Sequence, residues 1–325
     1  MSRISLSWMG ALAALACLPA CSSWFVSEEA SSLTSTRRFV LDYTVQLPPE
    51  VNDQLGAVRV WVPVPVSDGV QTIDVLDSPE GARWSAADPH GNRFCSVIWN
   101  GGARALTWSY QVERREDNGN SSGGDRVTTD NDAFLLYLDP DVMVPARGPA
   151  VEQAFDLAES YGRAEFPTAF YRSIVDQMEY TTAGDVGYGS SDFAAAEGKG
   201  NGADYASYFI GGMRYQQFAA RFQVGFLLPP VRGEGELVDP HAWAHWYRPG
   251  FGWQPADPAA TDLDAGRDEY YFGKLSTNRV AMSCGRDLML DPAQQGVPLN
   301  FFVAAYAEQD GREVRVETRV SYFDL

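Results

Sequence analysis

The hydrophobic period changes twice along this chain, and these changes constrain the fold more than any other sequence feature. Before residue 115, apolar side chains recur at every second position in four short segments, and turn-forming clusters separate those segments. The four segments are 39–45, 58–64, 95–99 and 105–112. Short alternating segments at this spacing are typical of an antiparallel β-sandwich, which we predict over residues 37–115.

A helical period replaces the alternation after residue 150. Apolar side chains three or four positions apart predict amphipathic helices over 151–161, 169–180 and 204–218. The glycine-rich stretch 184–202 precedes the third helix and predicts an extended loop. Alternating segments return from Arg221 onwards, so the second half of the chain combines helices with strands.

These patterns predict an α+β chain with two domains. The segment 116–132 carries almost no apolar side chains, so we expect a linker or a mobile loop there. The second domain is expected to span 133–325, with C-terminal strands near 299–306 and 314–323.

The first residues have the pattern of an export signal. Arg3 precedes an apolar run over 8–18, which is shorter than the roughly 18–20 residues that a transmembrane helix needs. The run Leu18-Pro19-Ala20-Cys21 resembles the lipobox of bacterial lipoproteins. This resemblance implies that a signal peptide, residues 1–20, is removed and that Cys21 is acylated.

The residues after Cys21 complete this hypothesis. The small, polar and acidic stretch 21–36 is expected to be a tether between lipid and fold. Ser22 stands where an aspartate would indicate inner-membrane retention, so we expect an exported protein anchored in the outer membrane and facing the periplasm. An ordinary signal peptide with a chance cysteine is the alternative.

The charge of the chain limits its partners. Asp and Glu number 43 against 25 Lys and Arg, which gives a net charge of −18. Such a chain repels nucleic-acid phosphates and anionic lipid headgroups alike. We therefore expect no nucleic-acid partner, and we expect acyl chains on Cys21 to provide the contact with the membrane.

Two of the four cysteines remain for the folded domains. Cys17 would leave with the signal peptide, and Cys21 would be acylated. Cys95 and Cys284 lie far apart in sequence. An oxidising compartment would permit a disulfide between them, but two separate buried thiols are the favoured interpretation.

A helix start, a strand and a turn carry the residues of a possible catalytic site. The helix beginning near Asp204 follows a glycine loop, and its free N–H groups would favour an ionised nucleophile. His241 lies in an alternating strand, and Asp257 follows a tight turn. Across a hairpin, the aspartate can fix the tautomer of the imidazole, as in a triad of nucleophile, base and orienting acid.

Several motifs around these residues resemble the bacterial transglutaminase-like family, which has the papain-like cysteine-protease fold. The alternating domain before residue 115 is similar to the N-terminal domain often fused to that family. The resemblance implies that His241 is the base, that Asp257 orients it, and that a cysteine belongs at position 202, where this chain has Gly202. The motifs are the runs 187–192, 200–205, 218–226, 241–247, 250–258, 271–273, 278–280 and 285–288.

The glycine at position 202 leaves the expected site without a nucleophile. Glycine has no side chain, so His241 and Asp257 would be vestigial, kept for structure or for binding. Ser207, Cys95 and Cys284 are the candidates for a displaced nucleophile.

Aromatic residues near the expected site suggest a ligand cleft. Tyr205, Trp243 and Trp253 would line it for a peptide, protein or glycan, with core packing as the alternative. No metal or cofactor is expected. His241 and His245 lie four strand residues apart, about 13 Å, which is too far for both to ligate one zinc ion.

The sequence therefore predicts a transglutaminase-like lipoprotein that is catalytically inactive and acts in binding or scaffolding at the cell envelope. An active protease, amidase or acyltransferase with a displaced nucleophile, acting on a peptide or cell-wall substrate, is the alternative. A purely structural envelope protein is a third hypothesis.

Overall fold

The computed structural model of the protein describes residues 36–47, 57–101, 104–119, 132–184, 186–264 and 270–325. The predicted signal peptide, Cys21, nearly all of the tether and most of the predicted linker lie outside the described residues. None of the helices in the described ranges has both the length and the hydropathy that crossing a bilayer requires.

The described chain forms sixteen strands and six helices. The strands are β1 Thr36–Gln46, β2 Val58–Val64, β3 Gln71–Asp77, β4 Arg83–Trp84, β5 Arg93–Trp99, β6 Ala105–Arg115, β7 Glu179–Tyr180, β8 Lys199–Gly200, β9 Ala220–Leu227, β10 Glu234–Glu236, β11 Pro240–Arg248, β12 Gly252–Ala256, β13 Arg279–Cys284, β14 Tyr306–Gln309, β15 Arg312–Glu313 and β16 Glu317–Asp324. The helices are α1 Asp132–Leu135, α2 Pro149–Ser160, α3 Phe166–Gln177, α4 Ser191–Glu197, α5 Gly202–Tyr215 and α6 Pro258–Leu263.

Two antiparallel sheets build the first domain, with strand orders β10-β16-β1-β6-β3 and β15-β14-β2-β5-β4. Strand β1 shows why the sequence forms them, because Phe39, Leu41, Tyr43 and Val45 are all buried while the residues between them are not fully buried. Alternating burial turns one face of a sheet towards a core, and residues of both sheets share one hydrophobic cluster. The predicted antiparallel β-domain is confirmed.

The C-terminal strands complete this first domain. Strand β16 pairs antiparallel with β1 along its length, from Phe39 opposite Asp324 to Gln46 opposite Glu317, and β14 pairs with β2. These pairings move the last strands out of the predicted 133–325 domain. The predicted strand 299–306 is also displaced, because β14 begins only at its last residue.

The second domain packs helices against an antiparallel sheet of order β12-β11-β9-β13. Helix α5 contacts β11 and β9 and is surrounded by α2, α3, α4 and α6. Every residue of α5 from Gly202 to Arg214 is buried. A buried central helix against a sheet agrees with the α+β, papain-like class predicted from the sequence, and that class is confirmed.

The predicted helices correspond to α2, α3 and α5, and each of them ends before the predicted terminus. The extended loop predicted over 184–202 is wrong for residues 191–197, which form α4. The Ser190 side chain accepts a hydrogen bond from the Phe193 N–H at the start of α4, and Gly198 ends the helix in a left-handed conformation. Both are standard helix-boundary residues.

The two cysteines of the described chain are unpaired and buried, which confirms the favoured interpretation. Cys95 lies in the first domain and accepts a hydrogen bond from Trp108 Nε1 at 3.3 Å. Cys284 ends β13, and its Sγ lies 3.8 Å from the Tyr137 hydroxyl. The two thiols therefore belong to different parts of the fold.

Candidate functional site

The start of helix α5 is held by a capping box. The Asn201 side chain accepts from the Ala203 N–H at 2.9 Å, and the Asp204 carboxylate accepts from the Asn201 N–H at 3.0 Å. Asp204 also accepts from the N–H groups of Gly187 and Gly189, at 2.7 and 3.0 Å. One buried carboxylate thus fixes both the helix start and the preceding loop, where a papain-like site places its nucleophile.

The predicted histidine and aspartate meet across the hairpin of β11 and β12. His241 Nε2 lies 2.9 Å from Asp257 Oδ2 and 3.1 Å from Oδ1. Arg279 Nη1 and the Ala260 N–H also donate to this carboxylate, each at 3.0 Å. Burial opposes ionisation of Asp257, but the His241 ring, the Arg279 guanidinium and the Ala260 N–H hold its pKa at about 2.

The ionised Asp257 fixes the orientation of the His241 ring. Because the carboxylate accepts at Nε2, the neutral ring carries its proton there, and Nδ1 is the nitrogen left to act as a base. In this geometry Nδ1 is directed at the start of α5. A Cβ atom built on Gly202 would lie 2.8 Å from it. The structure therefore brings together all three predicted positions: Gly202, His241 and Asp257.

The space at position 202 is smaller than a side chain requires. The same Cβ would also lie 2.9 Å from the carbonyl oxygen of Ala242, and Cβ contacts below 3.0 Å are essentially never formed. The imidazole and the β11 backbone have thus approached the helix more closely than a cysteine would allow. His241 is only 5% exposed, and Asp257 is completely buried. This is a closed arrangement of base and orienting acid.

The aromatic residues predicted to line a cleft lie in the core. Tyr205 and Trp243 are fully buried, and Trp253 is 1% exposed, which corrects the prediction of an accessible cleft beside position 202. The Tyr205 hydroxyl donates to Asp262 at 2.9 Å, and Trp243 Nε1 donates to Gln223 at 3.0 Å. The polar atoms of Tyr205 and Trp243 are thus already used within the fold, whereas Trp253 Nε1 has no hydrogen-bond partner among the described residues.

The candidates for a displaced nucleophile make their hydrogen bonds elsewhere. The Ser207 hydroxyl donates to the Ala203 carbonyl at 2.8 Å and accepts from Arg286, with its side chain fully buried. Burial raises the pKa of the thiols of both Cys95 and Cys284, so each favours its neutral form. Within the described residues, none of these three groups forms a hydrogen bond with His241.

Sequence reasoning missed a second histidine–aspartate pair. His245 Nε2 lies 2.9 Å from Asp117 Oδ2, and both side chains are buried. Asp117 stands in the segment predicted to be a linker, and a backbone bridge to Leu275 anchors it. Because 128 positions separate the two residues, their sequence spacing gave no signal of the contact. Arg279 was noticed only as part of a motif.

A helix N-terminus, a strand histidine and a hairpin aspartate, in this chain order, form the framework of papain-like cysteine enzymes, and Gly202 stands where the motifs predict the nucleophile. Residues 152–258 match the family model described as the transglutaminase-like superfamily. The chain therefore contains a transglutaminase-like domain, as the motifs indicated.

One solved structure supports the same fold. A candidate cysteine protease from Cytophaga hutchinsonii aligns with a TM-score of 0.54 at 14% identity, over 90% of this chain and 92% of that one. The periplasmic domain of TgpA from Pseudomonas aeruginosa bound to ethylmercury aligns with a TM-score of 0.37 at 14% identity, over 73% of this chain and 99% of that one. No curated protein matches the chain significantly.

Proposed function

We propose that this protein is a non-catalytic transglutaminase-like protein that acts by binding or scaffolding at the cell envelope. The observation that carries the proposal is the geometry at position 202. The expected thiol is replaced by hydrogen, and a Cβ there would lie 2.8 Å from His241 Nδ1.

The loss of the nucleophile is decisive for acyl transfer. In enzymes of this type the nucleophile and base act as a unit, so removing one costs nearly as much as removing the set. The base here is only 5% exposed, which also works against entry of a substrate carbonyl. His241 and Asp257 then act as a structural pair that joins β11 to the turn after β12.

The proposed location follows from the N-terminal motif. An acylated Cys21 would hold the chain at the outer membrane, with residues 21–36 as a tether and the folded domains in the periplasm. A peptide, protein or glycan of the envelope is the proposed partner class. A strongly acidic surface is compatible with this role because the anchor is lipid and not charge.

The catalytic proposal is tested with an electrophilic acyl probe and mass spectrometry of the labelled peptides. We expect no labelling that depends on His241, in the natural chain or in His241→Ala. Gly202→Cys is expected not to restore turnover, because the imidazole occupies the space beside the new side chain. Labelling of one residue that disappears in His241→Ala would instead establish an active enzyme with a displaced nucleophile.

The anchor is tested separately by metabolic labelling with an alkyne fatty acid in a bacterial host. We expect label on the natural chain and on Cys17→Ser, and none on Cys21→Ser. Label that persists in Cys21→Ser would refute the lipidation site without affecting the catalytic proposal.

A further inference from the structure

A cavity of about 620 Å³ lies between the two domains. One wall comes from first-domain residues around Gln71, His90 and Asp117, and the other from Arg221 on β9 and Cys284 on β13. Gly202, His241 and Asp257 do not line this cavity. Its size is within the range of small-molecule sites, which is roughly 300–1,000 Å³.

A buried histidine in this wall has an unused acceptor. His245 is 4% exposed, and its Nε2 donates to Asp117. Asp117 also accepts from the Gly119 N–H at 3.1 Å, and these donors hold the pKa of the buried Asp117 carboxyl at about 2. With Nε2 protonated, Nδ1 carries a lone pair, yet it has no hydrogen-bond partner among the described residues.

The ring is held in its neutral form. Burial lowers the pKa of His245, Asp117 opposes this shift, and the nearby positive charges of Arg221 and Arg114 add to it. A neutral imidazole keeps Nδ1 available as an acceptor around neutral pH. A buried acceptor without a hydrogen bond is unfavourable, so a ligand that supplies a donor here gains binding free energy.

Unused donors accompany this acceptor. Arg114 is 1% exposed and close enough to influence both Asp117 and His245, and its Nε and Nη2 have no partner among the described residues. Trp253 Nε1 is likewise unpartnered, and the Arg221 guanidinium lies 4.4 Å above the Trp253 ring. These groups favour an occupant that brings negatively charged acceptors.

The charged residues that line the cavity are two aspartates and two arginines, namely Asp68, Asp117, Arg115 and Arg221. Asp68 Oδ1 accepts from the N–H groups of Val70 and Gln71, each at 2.7 Å, and Asp117 is bound to His245. Backbone and imidazole donors thus satisfy the oxygens Asp68 Oδ1 and Asp117 Oδ2. The positive charges of Arg221 and Arg114 reach His245, whose pKa they lower, so they can also act on an anion bound beside it.

We propose that this cavity binds a small carboxylate that carries an N–H donor beside its carboxyl group, such as an acylated amino acid or the C-terminal residue of a peptide. The carboxylate faces Arg221 and Trp253 Nε1, which line the cavity, and the N–H donates to His245 Nδ1. This site is separate from position 202, so its occupancy is independent of whether position 202 is catalytically silent.

Three matched probes test the proposal by isothermal titration. N-Acetylglycine has both groups, N-acetylsarcosine lacks the N–H, and N-acetylglycinamide lacks the carboxylate. We expect N-acetylglycine to bind at least about tenfold more tightly than either of the others, which corresponds to about 1.4 kcal/mol. Equal affinity for the three probes, or no binding of N-acetylglycine at millimolar concentration, would overturn the proposal.

Variants and spectroscopy locate the binding. Arg221→Gln is expected to weaken the binding of N-acetylglycine at least about tenfold. Arg319 is exposed, and Arg319→Gln is expected to leave the affinity unchanged. The chain has only three histidines, so ¹⁵N NMR resolves their imidazoles. The His245 Nδ1 resonance is expected to shift with N-acetylglycine while that of His241 does not. A shift at His241 alone would overturn the proposal.

The two buried cysteines give a test that needs no variant. Cys284 lines the cavity and Cys95 does not. Saturating N-acetylglycine is expected to slow methylthiolation of Cys284, located by peptide mass spectrometry, and to leave the rate at Cys95 unchanged. Equal effects on both thiols would indicate global stabilisation and would contradict a ligand in this cavity.

Discussion

Alanine at position 202 is predicted to destabilise the protein, although alanine normally stabilises a helix. Gly202 is the first residue of α5, where replacing glycine would gain up to about 1 kcal/mol from backbone entropy. The new Cβ would lie 2.8 Å from His241 Nδ1 and 2.9 Å from the Ala242 carbonyl oxygen. Overpacking of this kind costs about 1–3 kcal/mol, so we expect a net loss of about 1–2 kcal/mol.

Gly211 provides a matched control in the same helix. Its Cβ would meet its nearest neighbours, the Ser191 and Val144 side chains, at 3.4 Å, which is ordinary contact. Gly211→Ala is therefore expected to stabilise the protein by about 0.5–1 kcal/mol. Urea unfolding of both variants, followed by far-UV circular dichroism, shows directly whether each substitution raises or lowers the free energy of unfolding.

A second substitution separates the cost of the contact with the imidazole from the cost of the contact with the backbone. In a His241→Ala background, Gly202→Ala loses its contact with the ring but keeps its contact with the Ala242 carbonyl oxygen. We expect the cost of Gly202→Ala to fall in that background, which a double-mutant cycle measures. If Gly202→Ala is as stabilising as Gly211→Ala, the inference that the site is closed is refuted.

Three further predictions concern buried ionisable and thiol groups. Asp257→Ala leaves His241 without its carboxylate and is expected to cost about 3–5 kcal/mol, whereas the exposed Asp74→Ala changes stability by less than about 0.5 kcal/mol in the same urea assay. Asp257 and Asp117 have folded pKa values of about 2, below the usual 3.8, so their stabilisation is fully present above about pH 4 and disappears as the pH falls through 2. Each should contribute on the order of 2 kcal/mol, and a flat urea midpoint between pH 5 and pH 2 would contradict this. Because Cys95 and Cys284 are free, a reductant should leave the melting temperature of the folded domains unchanged, and a clear decrease would reveal a disulfide.

Local sequence patterns predicted the individual strands and helices of this fold better than they predicted which strands pair with each other. The alternation in β1 arises from burial of one face of its sheet, and the many apolar side chains of α5 arise from burial of the helix on all sides, so the sequence shows both directly. The pairing of β1 with β16 joins residues about 270 to 285 positions apart, and the alternating pattern of a strand carries no information about which strand lies beside it. Helix α4 was missed because the glycines around it outweighed its short helical run.

In the candidate site, too, the sequence predicted local arrangements and did not predict contacts that depend on the packing of distant segments. The order and spacing of Gly202, His241 and Asp257 predicted their proximity because the motif spans one helix and one hairpin. The lack of space for a side chain at position 202 was not predictable, since it depends on how closely β11 approaches α5. The contact between His245 and Asp117 crosses the domain boundary, so it appears only in three dimensions.

The central claim is that position 202 and its neighbours no longer perform acyl transfer. The most direct measurement is the rate of hydrolysis of an activated acyl ester by the purified protein, compared with His241→Ala. We predict that the two rates are equal and do not exceed the uncatalysed background. A rate for the natural chain that exceeds background and falls to it in His241→Ala would contradict the claim.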